Sequence, residues 1–335
     1  MGKNQHYVPQ FYLKLFSNNS KSIGTWNSKI DKIINDASIA GMASRDNLYG
    51  SDQNLEKELA SWEKDWSITI HKIIETNKIE TLDDFASILT FITIGSTRTL
   101  KNADISNYIS DYLAKIMLTN KIPQKILNGM KIKMDIPNLM SMKVAADMTI
   151  ILSDLKYFII ENVSTVAFIT SDNPICLYNK FYVQRKYNRN YGWGTAGLIV
   201  LLPLTPEKCL CLYDPMVYRT ITSNSVILDS GRDIVHINRL LTRNAYHNIF
   251  FNNQKDCRII NIKSAYQTVD IENSIRPFGP LLQIGGNSIL DRYDLNFLKI
   301  RKKYKKISLP MHMGGLNRPI SEQYQKENYD KLYGV

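Results

Sequence analysis

A histidine stands near the start of the chain, within a short polar and aromatic run. His6 and Tyr7 precede Pro9, and Gln10 follows it. Because proline fixes its own φ angle, it favours a defined turn that would hold the imidazole in place. An imidazole changes charge near neutral pH and can therefore transfer protons. We predict catalytic roles for His6 and Tyr7 and a substrate contact for Gln10.

A second polar group follows an apolar run at 166–169 that is typical of a β-strand. Side chains at the end of a strand can leave the sheet and converge on a ligand, which makes Ser171 and Asn173 candidate substrate contacts. Asp172 can bind a metal, orient a histidine or act as a general base. In the alternative interpretation, Ser171 and Asp172 accept hydrogen bonds from nearby backbone in a turn before Pro174.

Glu63 and Arg98 are the charged candidates of the middle of the chain. Glu56 and Glu63 are seven residues apart and so share one side of a predicted helix. Glu63 can serve as an acid, a base or a magnesium ligand, or it can lie on a solvated helix face. Arg98 ends an apolar run, where it either clamps a phosphate or carboxylate or forms a structural ion pair with Asp172 or a glutamate.

Asn238 lies close to the apolar side of a helix that we predict over 233–250. Its amide can hydrogen-bond a substrate or the backbone of a neighbouring strand. His236 and His247 are not spaced for joint metal binding on one helical face, and we expect both at the surface.

Two segments combine positive charge with tyrosines, a composition suited to phosphate contact and base stacking. The first, at 299–306, contains six cationic side chains and Tyr304. In the alternative interpretation, this segment is a solvated, mobile tail without a partner. The second lies beside the Asp172 turn and contains Tyr178, Lys180, Tyr182, Arg185, Lys186, Tyr187, Arg189 and Tyr191.

Periodicity predicts the elements that must position these residues. Apolar positions at helical spacing occur from 55 to 73, and Thr81 with Asp84 forms a capping-box pair at the start of a second helix. Further helices are predicted at 105–118 and 140–161. The pattern becomes strand-like from 165 onward, in short β-branched runs bounded by turn residues.

The resulting fold class is α+β: an N-terminal flap and a helical bundle pack on a C-terminal, mostly antiparallel β-sheet with one late helix. We expect a flap with a hairpin at 1–52, a helical region at 53–162, a β-rich region at 163–298 and a basic tail at 299–335. The first three regions are expected to form one integrated domain.

Composition sets limits on the class of protein. With 335 residues, of which 44% are hydrophobic, the chain can bury a large core. A formal net charge of +11 favours polyanionic partners. The four cysteines lack the paired spacing of a zinc site, and Cys209 and Cys211 are expected on one face of a strand. We find no signal segment or membrane span in the sequence and expect a cytoplasmic protein without a membrane partner.

Three spaced motifs resemble the bacterial family called domain of unknown function 4238, over about residues 3–251. They are His6-Tyr7-Val8-Pro9, Thr170-Ser171-Asp172-Asn173-Pro174 and Pro203-Leu204-Thr205-Pro206. Single residues also match that family's pattern, namely Asn47, Tyr49, Glu56, Glu63, Arg98 and Asn238. The resemblance supplies positions without an established reaction. A histidine, carboxylates, an arginine and an amide from distant segments are nevertheless the components of a polar pocket.

The leading hypothesis is a phosphodiester hydrolase of the nuclease type, a possible toxin or phage-defence effector acting on RNA or DNA. In it His6 transfers protons and Arg98 neutralises phosphoryl charge, while Asp172 and Glu63 orient His6 or hold a divalent cation, and Asn238 positions the substrate. Two alternatives remain open. One is a non-enzymatic nucleic-acid-binding protein, and the other is an interaction module that binds an acidic protein.

Overall fold

The structure is a computed structural model of the chain. It describes residues 4–50, 54–185, 191–220, 224–269, 271, 275–278, 281–284, 288–306 and 316–333. Lys186, Tyr187 and Arg189 of the second basic segment lie outside these ranges. Within the described ranges, every helix is too short or too polar to span a membrane.

Helices dominate the first half of the chain and recur later as single elements. Their bounds are α1 Gln10–Lys14, α2 Asn54–Thr76, α3 Leu82–Thr97, α4 Leu100–Leu118, α5 Gln124–Gly129, α6 Leu139–Asp147, α7 Lys180–Val183, α8 Gly231–Asn244, α9 Ile259–Lys263, α10 Lys302–Lys305 and α11 Pro319–Tyr333. Short 3₁₀ turns cover Ile39–Gly41 and Met148–Leu152.

The strands are short and distributed over several sheets. Their bounds are β1 Asn4–His6, β2 Ser22–Asn27, β3 Lys32–Ser38, β4 Ser44–Asp46, β5 Lys156–Asn162, β6 Thr170–Ser171, β7 Cys176–Tyr178, β8 Ile199–Thr205, β9 Lys208–Tyr213, β10 Tyr218–Arg219, β11 Ser225–Leu228, β12 Asn248–Phe251, β13 Ile275–Phe278, β14 Leu281–Ile284 and β15 Lys299–Ile300. The α+β class expected from the sequence is confirmed.

A five-stranded sheet in the order β11-β5-β9-β8-β7 forms the centre of the fold. Only the β11–β5 pair is parallel among its pairings, which confirms the mostly antiparallel sheet. Successive strand residues point to opposite faces, and both faces are buried. Val200 and Leu202 pack with the helical layer of α2 and α3, whereas Leu201 packs with the layer that contains α8.

Residues 4–50 form part of the core. Strand β2 belongs to a four-stranded antiparallel sheet in the order β3-β2-β12-β6, and the predicted hairpin corresponds to β2 and β3. Tyr12 on α1 is fully buried, and its hydroxyl donates to the carbonyl of Pro203 at 2.6 Å. The same hydroxyl lies 2.9 Å from Thr170 Oγ1.

Two sequence-based element predictions are wrong at one end. The helix expected over 140–161 stops at Asp147, and residues 156–162 form β5 at the second position of the central sheet. The helix expected over 233–250 ends at Asn244, and β12 follows it. In both cases a run of apolar β-branched or aromatic residues is buried between neighbouring strands, and strand pairing overrides the apparent helical period.

All four cysteines are buried free thiols: Cys176, Cys209, Cys211 and Cys257. Cys209 and Cys211 lie on the same face of β9, as expected from their alternate spacing. Burial raises the pKa of the Cys176 and Cys257 thiols to about 12.

The predicted capping box at the start of α3 is present. The Thr81 hydroxyl accepts from the Asp84 backbone N–H at 3.0 Å, and the Asp84 carboxylate accepts from the Thr81 N–H at 3.2 Å. This pair satisfies two backbone donors that the first turn of a helix leaves unpaired. It therefore fixes where α3 begins.

Removing the cap should destabilise the protein measurably. We expect Thr81→Ala to lower the free energy of unfolding by about 1 kcal/mol, because an N-terminal backbone donor of α3 loses its acceptor. Thr81→Ser retains the hydroxyl and is the matched control, which should stay close to the wild type. Urea denaturation of the three proteins provides the comparison, and equal midpoints for all of them would contradict the assigned cap.

Candidate functional site

Arg98 is the centre of a buried polar network that joins three segments of the chain. Its side chain is 2% exposed, and its Nη1 lies 2.8 Å from Glu63 Oε1. Its Nη2 donates to the backbone carbonyl of His6 at 2.6 Å, and its Nε donates to the Tyr49 hydroxyl at 3.0 Å. Of the two ion-pair partners proposed from the sequence, Glu63 is the one found. This network connects the N-terminal segment to α2 and to the end of α3.

His6 reaches this network through its backbone. The ring Nε2 lies 3.1 Å from the carbonyl oxygen of Ala40, and Nδ1 lies 3.4 Å from Gln10 Nε2. Both ring nitrogens therefore have a partner within the protein, and Nε2 must carry the proton to donate to a carbonyl. Burial lowers the pKa of His6, which favours the neutral ring. The arrangement positions the imidazole and leaves neither nitrogen aimed at a substrate.

Tyr7 follows His6 and is held by its backbone N–H, which donates to the carbonyl of Ala43 at 2.9 Å. It is 4% exposed, and burial is the main reason that its pKa lies above the ordinary value. The Asp172 carboxylate and the Tyr49 hydroxyl raise that pKa further. A phenol in this environment stays protonated at neutral pH.

The Asp172 carboxylate is occupied by backbone donors from beyond the end of α8. Its Oδ1 accepts from the Tyr246 N–H at 2.8 Å, and its Oδ2 accepts from the N–H groups of His247 at 2.7 Å and Asn248 at 2.9 Å. Burial raises the pKa of Asp172, and these three hydrogen bonds oppose that rise. Asp172 thus fixes the connection between α8 and β12.

Ser171 and Asn173 form the local part of the same turn. The Ser171 hydroxyl accepts from the Asn173 N–H at 3.1 Å, as the turn interpretation predicts. Asn173 and Asn244 exchange amide-to-carbonyl hydrogen bonds at 2.9 and 2.7 Å. Asn173 also lines a cavity.

Asn238 is fully buried on α8. Its Nδ2 donates to the carbonyl of Ala167 at 2.9 Å, and its Oδ1 accepts from the Ile169 N–H at 3.2 Å. Of the two roles predicted for this amide, these contacts correspond to hydrogen bonding with neighbouring backbone rather than with a substrate. They attach α8 to the extended segment that precedes β6.

The candidates for a metal site belong to different networks. Glu63 pairs with Arg98, whereas Asp172 accepts hydrogen bonds from the backbone N–H groups of Tyr246, His247 and Asn248. No group of three histidine, cysteine, aspartate or glutamate side chains in the described part of the chain could hold a metal ion.

The two basic segments predicted from the sequence come together at one groove of about 820 Å³. We call it the basic groove, and it is lined by Lys180, Gln184, Arg185, Arg219, Asn296, Leu298, Lys299, Ile300 and Lys305. Residues 299–300 pair with β10, and the Tyr304 ring packs edge-on against Phe181 with centroids 5.7 Å apart. Residues 299–306 are thus packed on the fold, in contrast to the mobile tail expected.

Sequence reasoning missed Lys101. It lies on α4, is 7% exposed and lines the same cavity as Asn173. Burial lowers its pKa to about 8, although the nearby Asp172 carboxylate favours the charged form. Nothing in the local sequence marks this lysine, because the cavity that it lines also involves residues from distant parts of the chain, such as Asn173 and Tyr191.

The Arg98 network should contribute strongly to stability. We expect Arg98→Met to lower the free energy of unfolding by about 2–3 kcal/mol, because the His6 carbonyl and the Tyr49 hydroxyl lose buried partners. Glu63→Gln should have a smaller effect, since the Glu63 side chain is 27% exposed. Glu58→Gln, which alters an exposed glutamate on the same helix, is the control, and chemical denaturation is the measurement. An Arg98→Met protein as stable as the wild type would contradict this role.

His247 should make the stability depend on pH. Its ring stacks on Tyr246 with centroids 3.6 Å apart, its Nδ1 is buried without a partner, and burial lowers its pKa to about 4. Between pH 6.5 and 4 the unfolded chain gains a proton at this residue and the folded chain does not, so stability should fall as the pH falls.

Thermal denaturation across that pH range tests the assignment. His247→Phe retains a stacking ring and should show a smaller loss of stability at low pH than the wild type. His71→Phe replaces an exposed histidine on α2 and should retain the full loss. Identical pH profiles for His247→Phe and the wild type would rule out a contribution from His247.

Comparisons with known proteins agree with the motif resemblance. No curated protein and no solved structure matches the chain. A family model described as a protein of unknown function, DUF4238, matches residues 4–255. This range contains the Arg98 network, the Asp172 turn and Lys101, but only part of the basic groove. Because the match covers about three quarters of the 335 residues, the chain belongs to the DUF4238 family.

Proposed function

We propose that the protein binds the phosphate backbone of a nucleic acid through the basic groove. The observation that carries this proposal is the convergence of five cationic side chains from separate segments, with no carboxylate among the described lining residues. These side chains are Lys180, Arg185, Arg219, Lys299 and Lys305. Closely spaced cations repel one another, and a polyanion that bridges them relieves this repulsion and releases its own counterions.

Two of the cations hold the wall of the groove through neutral acceptors. Lys180 Nζ donates to the carbonyls of Leu295 at 2.6 Å and Leu298 at 3.0 Å. Arg185 donates to the carbonyls of Tyr304 and Lys305. A carbonyl fixes a cation without cancelling its charge. The groove therefore keeps its positive potential even though these two side chains are anchored. Asp294 acts electrostatically on Lys180 but does not line the groove.

The remaining three cations are available to a ligand. Arg219, Lys299 and Lys305 are exposed, and Arg219 is the register partner of Lys299 across the β10–β15 pair. Arg185 Nε is buried and has no hydrogen-bond partner, and its guanidinium lies 4.5 Å from the centre of the Phe181 ring. Exposed cations beside anchored ones suit the repeated phosphates of a nucleic-acid backbone.

The hydrolase hypothesis receives less support from the geometry. His6 has both ring nitrogens occupied, the Asp172 carboxylate accepts three backbone N–H groups and Arg98 is paired with Glu63. None of these three side chains lines the basic groove. We therefore place binding ahead of cleavage, and retain cleavage as an outcome that the binding experiment detects directly.

Fluorescence anisotropy with labelled RNA and DNA strands of about 20 nucleotides, over a range of salt concentrations, tests the proposal. In the triple variant Arg219→Gln, Lys299→Gln and Lys305→Gln, each substitution should remove about one phosphate contact. Together they should weaken binding more than tenfold at low salt. The slope of log affinity against log salt should decrease by about 2. These residues are exposed, and the variant should fold normally.

The matched control changes the same net charge elsewhere. Lys32→Gln, Lys57→Gln and Lys143→Gln remove three exposed lysines outside the groove and should leave affinity near the wild-type value. Equal weakening in both triple variants would show a general charge effect and would contradict a groove. Polyglutamate that binds as tightly as RNA would instead favour an acidic protein partner. Strand cleavage on a gel that is lost in His6→Ala would support the hydrolase.

A further inference from the structure

A second site lies apart from the basic groove, around Lys101, a largely buried lysine that lines a cavity. The cavity that Lys101 lines has a volume of about 280 Å³. The Lys101 side chain is 7% exposed, and its ammonium has no hydrogen bond to any described residue. An ammonium in a mostly buried position normally donates hydrogen bonds or pairs with an anion, since the surrounding protein provides little solvation for its charge. The cavity thus contains a positive charge without a hydrogen-bond or ion-pair partner among the described residues.

The charged and titratable groups around Lys101 do not supply the missing partner. Asp172 attracts it electrostatically, but both Asp172 oxygens already accept hydrogen bonds from backbone N–H groups at 246–248. Cys176 has a pKa of about 12 and is therefore a neutral thiol at pH 7. Arg243 repels the ammonium. An external anion in the cavity would complete the set of contacts.

An apolar cavity of about 460 Å³ adjoins the first one. Thr97 and Trp193 line both cavities. The other side chains of the second cavity are mostly apolar and include Ile109, Met134, Met140, Val144, Ala145 and Met148. Methionine side chains adapt to ligands of different shape, so this lining suits a flexible hydrocarbon chain.

We propose that the two adjoining cavities form one binding site for an amphiphilic anion, whose carboxylate or phosphate pairs with Lys101 and whose hydrocarbon chain occupies the methionine-lined cavity. Trp193, at the boundary, contacts the ligand where the head group meets the chain. Asn173, which lines the first cavity, provides a further polar contact for the head group. The site uses no residue of the basic groove, and the two proposals are independent.

Isothermal titration calorimetry with four probes measures each half of the site. Decanoate and decyl phosphate carry both a charge and a chain, 1-decanol lacks the charge, and acetate lacks the chain. Lys101→Met should weaken decanoate and decyl phosphate roughly tenfold or more, the loss expected for one charged hydrogen bond, and should leave 1-decanol unchanged. Tighter binding of decanoate than of decyl phosphate identifies a carboxylate ligand, and the reverse order identifies a phosphate.

A second variant tests the apolar half without disturbing the core. Val144 is 47% exposed and lines the second cavity. Val144→Asp should weaken decanoate and 1-decanol alike, because it places a charge beside the hydrocarbon chain. Lys143→Met removes an exposed lysine on the same helix and should not change either affinity.

The pH profile gives an independent readout. Because the pKa of Lys101 is about 8, the wild-type affinity for decanoate should fall as the pH rises above that value. In Lys101→Met this dependence should disappear. The proposal is overturned if decanoate and decyl phosphate do not bind the wild type, or if they bind Lys101→Met as tightly as the wild type.

Discussion

The central constraint of this fold is that both faces of the five-stranded sheet are apolar. Alternate residues of β8 and β9 point into different apolar clusters, and each cluster requires a covering layer. The α2 and α3 helices cover one face, and α8 with the segments around it covers the other. Burial of this kind stabilises a fold by roughly 25 cal/mol per Å² of apolar surface but gives little directional information. Polar contacts must therefore set how the layers are attached.

The polar residues singled out from the sequence provide that attachment. Arg98 joins the N-terminal strand to α2 and α3 through one ion pair and two hydrogen bonds. Asn238 attaches the middle of α8, and Asp172 the residues that follow α8, to the segment around β6. A buried polar side chain that satisfies backbone groups can tie together distant segments, so it resembles a catalytic residue when only the sequence is known. Lys101 and the exposed cations of the basic groove, in contrast, remain open to a ligand.

The sequence predicted the elements whose signals are local. The capping box at Thr81, the hairpin of β2 and β3 and the shared face of Cys209 and Cys211 all depend on residues within a few positions of each other. The sequence pattern of β5 and β12 predicts helix, whereas pairing with strands distant in sequence makes them extended. The convergence of the two basic segments and the burial of Lys101 also arise from tertiary packing, and no spacing rule in a single sequence encodes them.

The four buried thiols have a practical consequence for work with this protein. Thiolates, rather than thiols, react with alkylating agents and oxidants, and a buried cysteine with a raised pKa has few of them at neutral pH. The native cysteines should therefore react slowly with thiol-labelling reagents. A cysteine introduced at an exposed position would react far faster than the native ones, so fluorophores or spin labels could be attached there without first removing the natural residues.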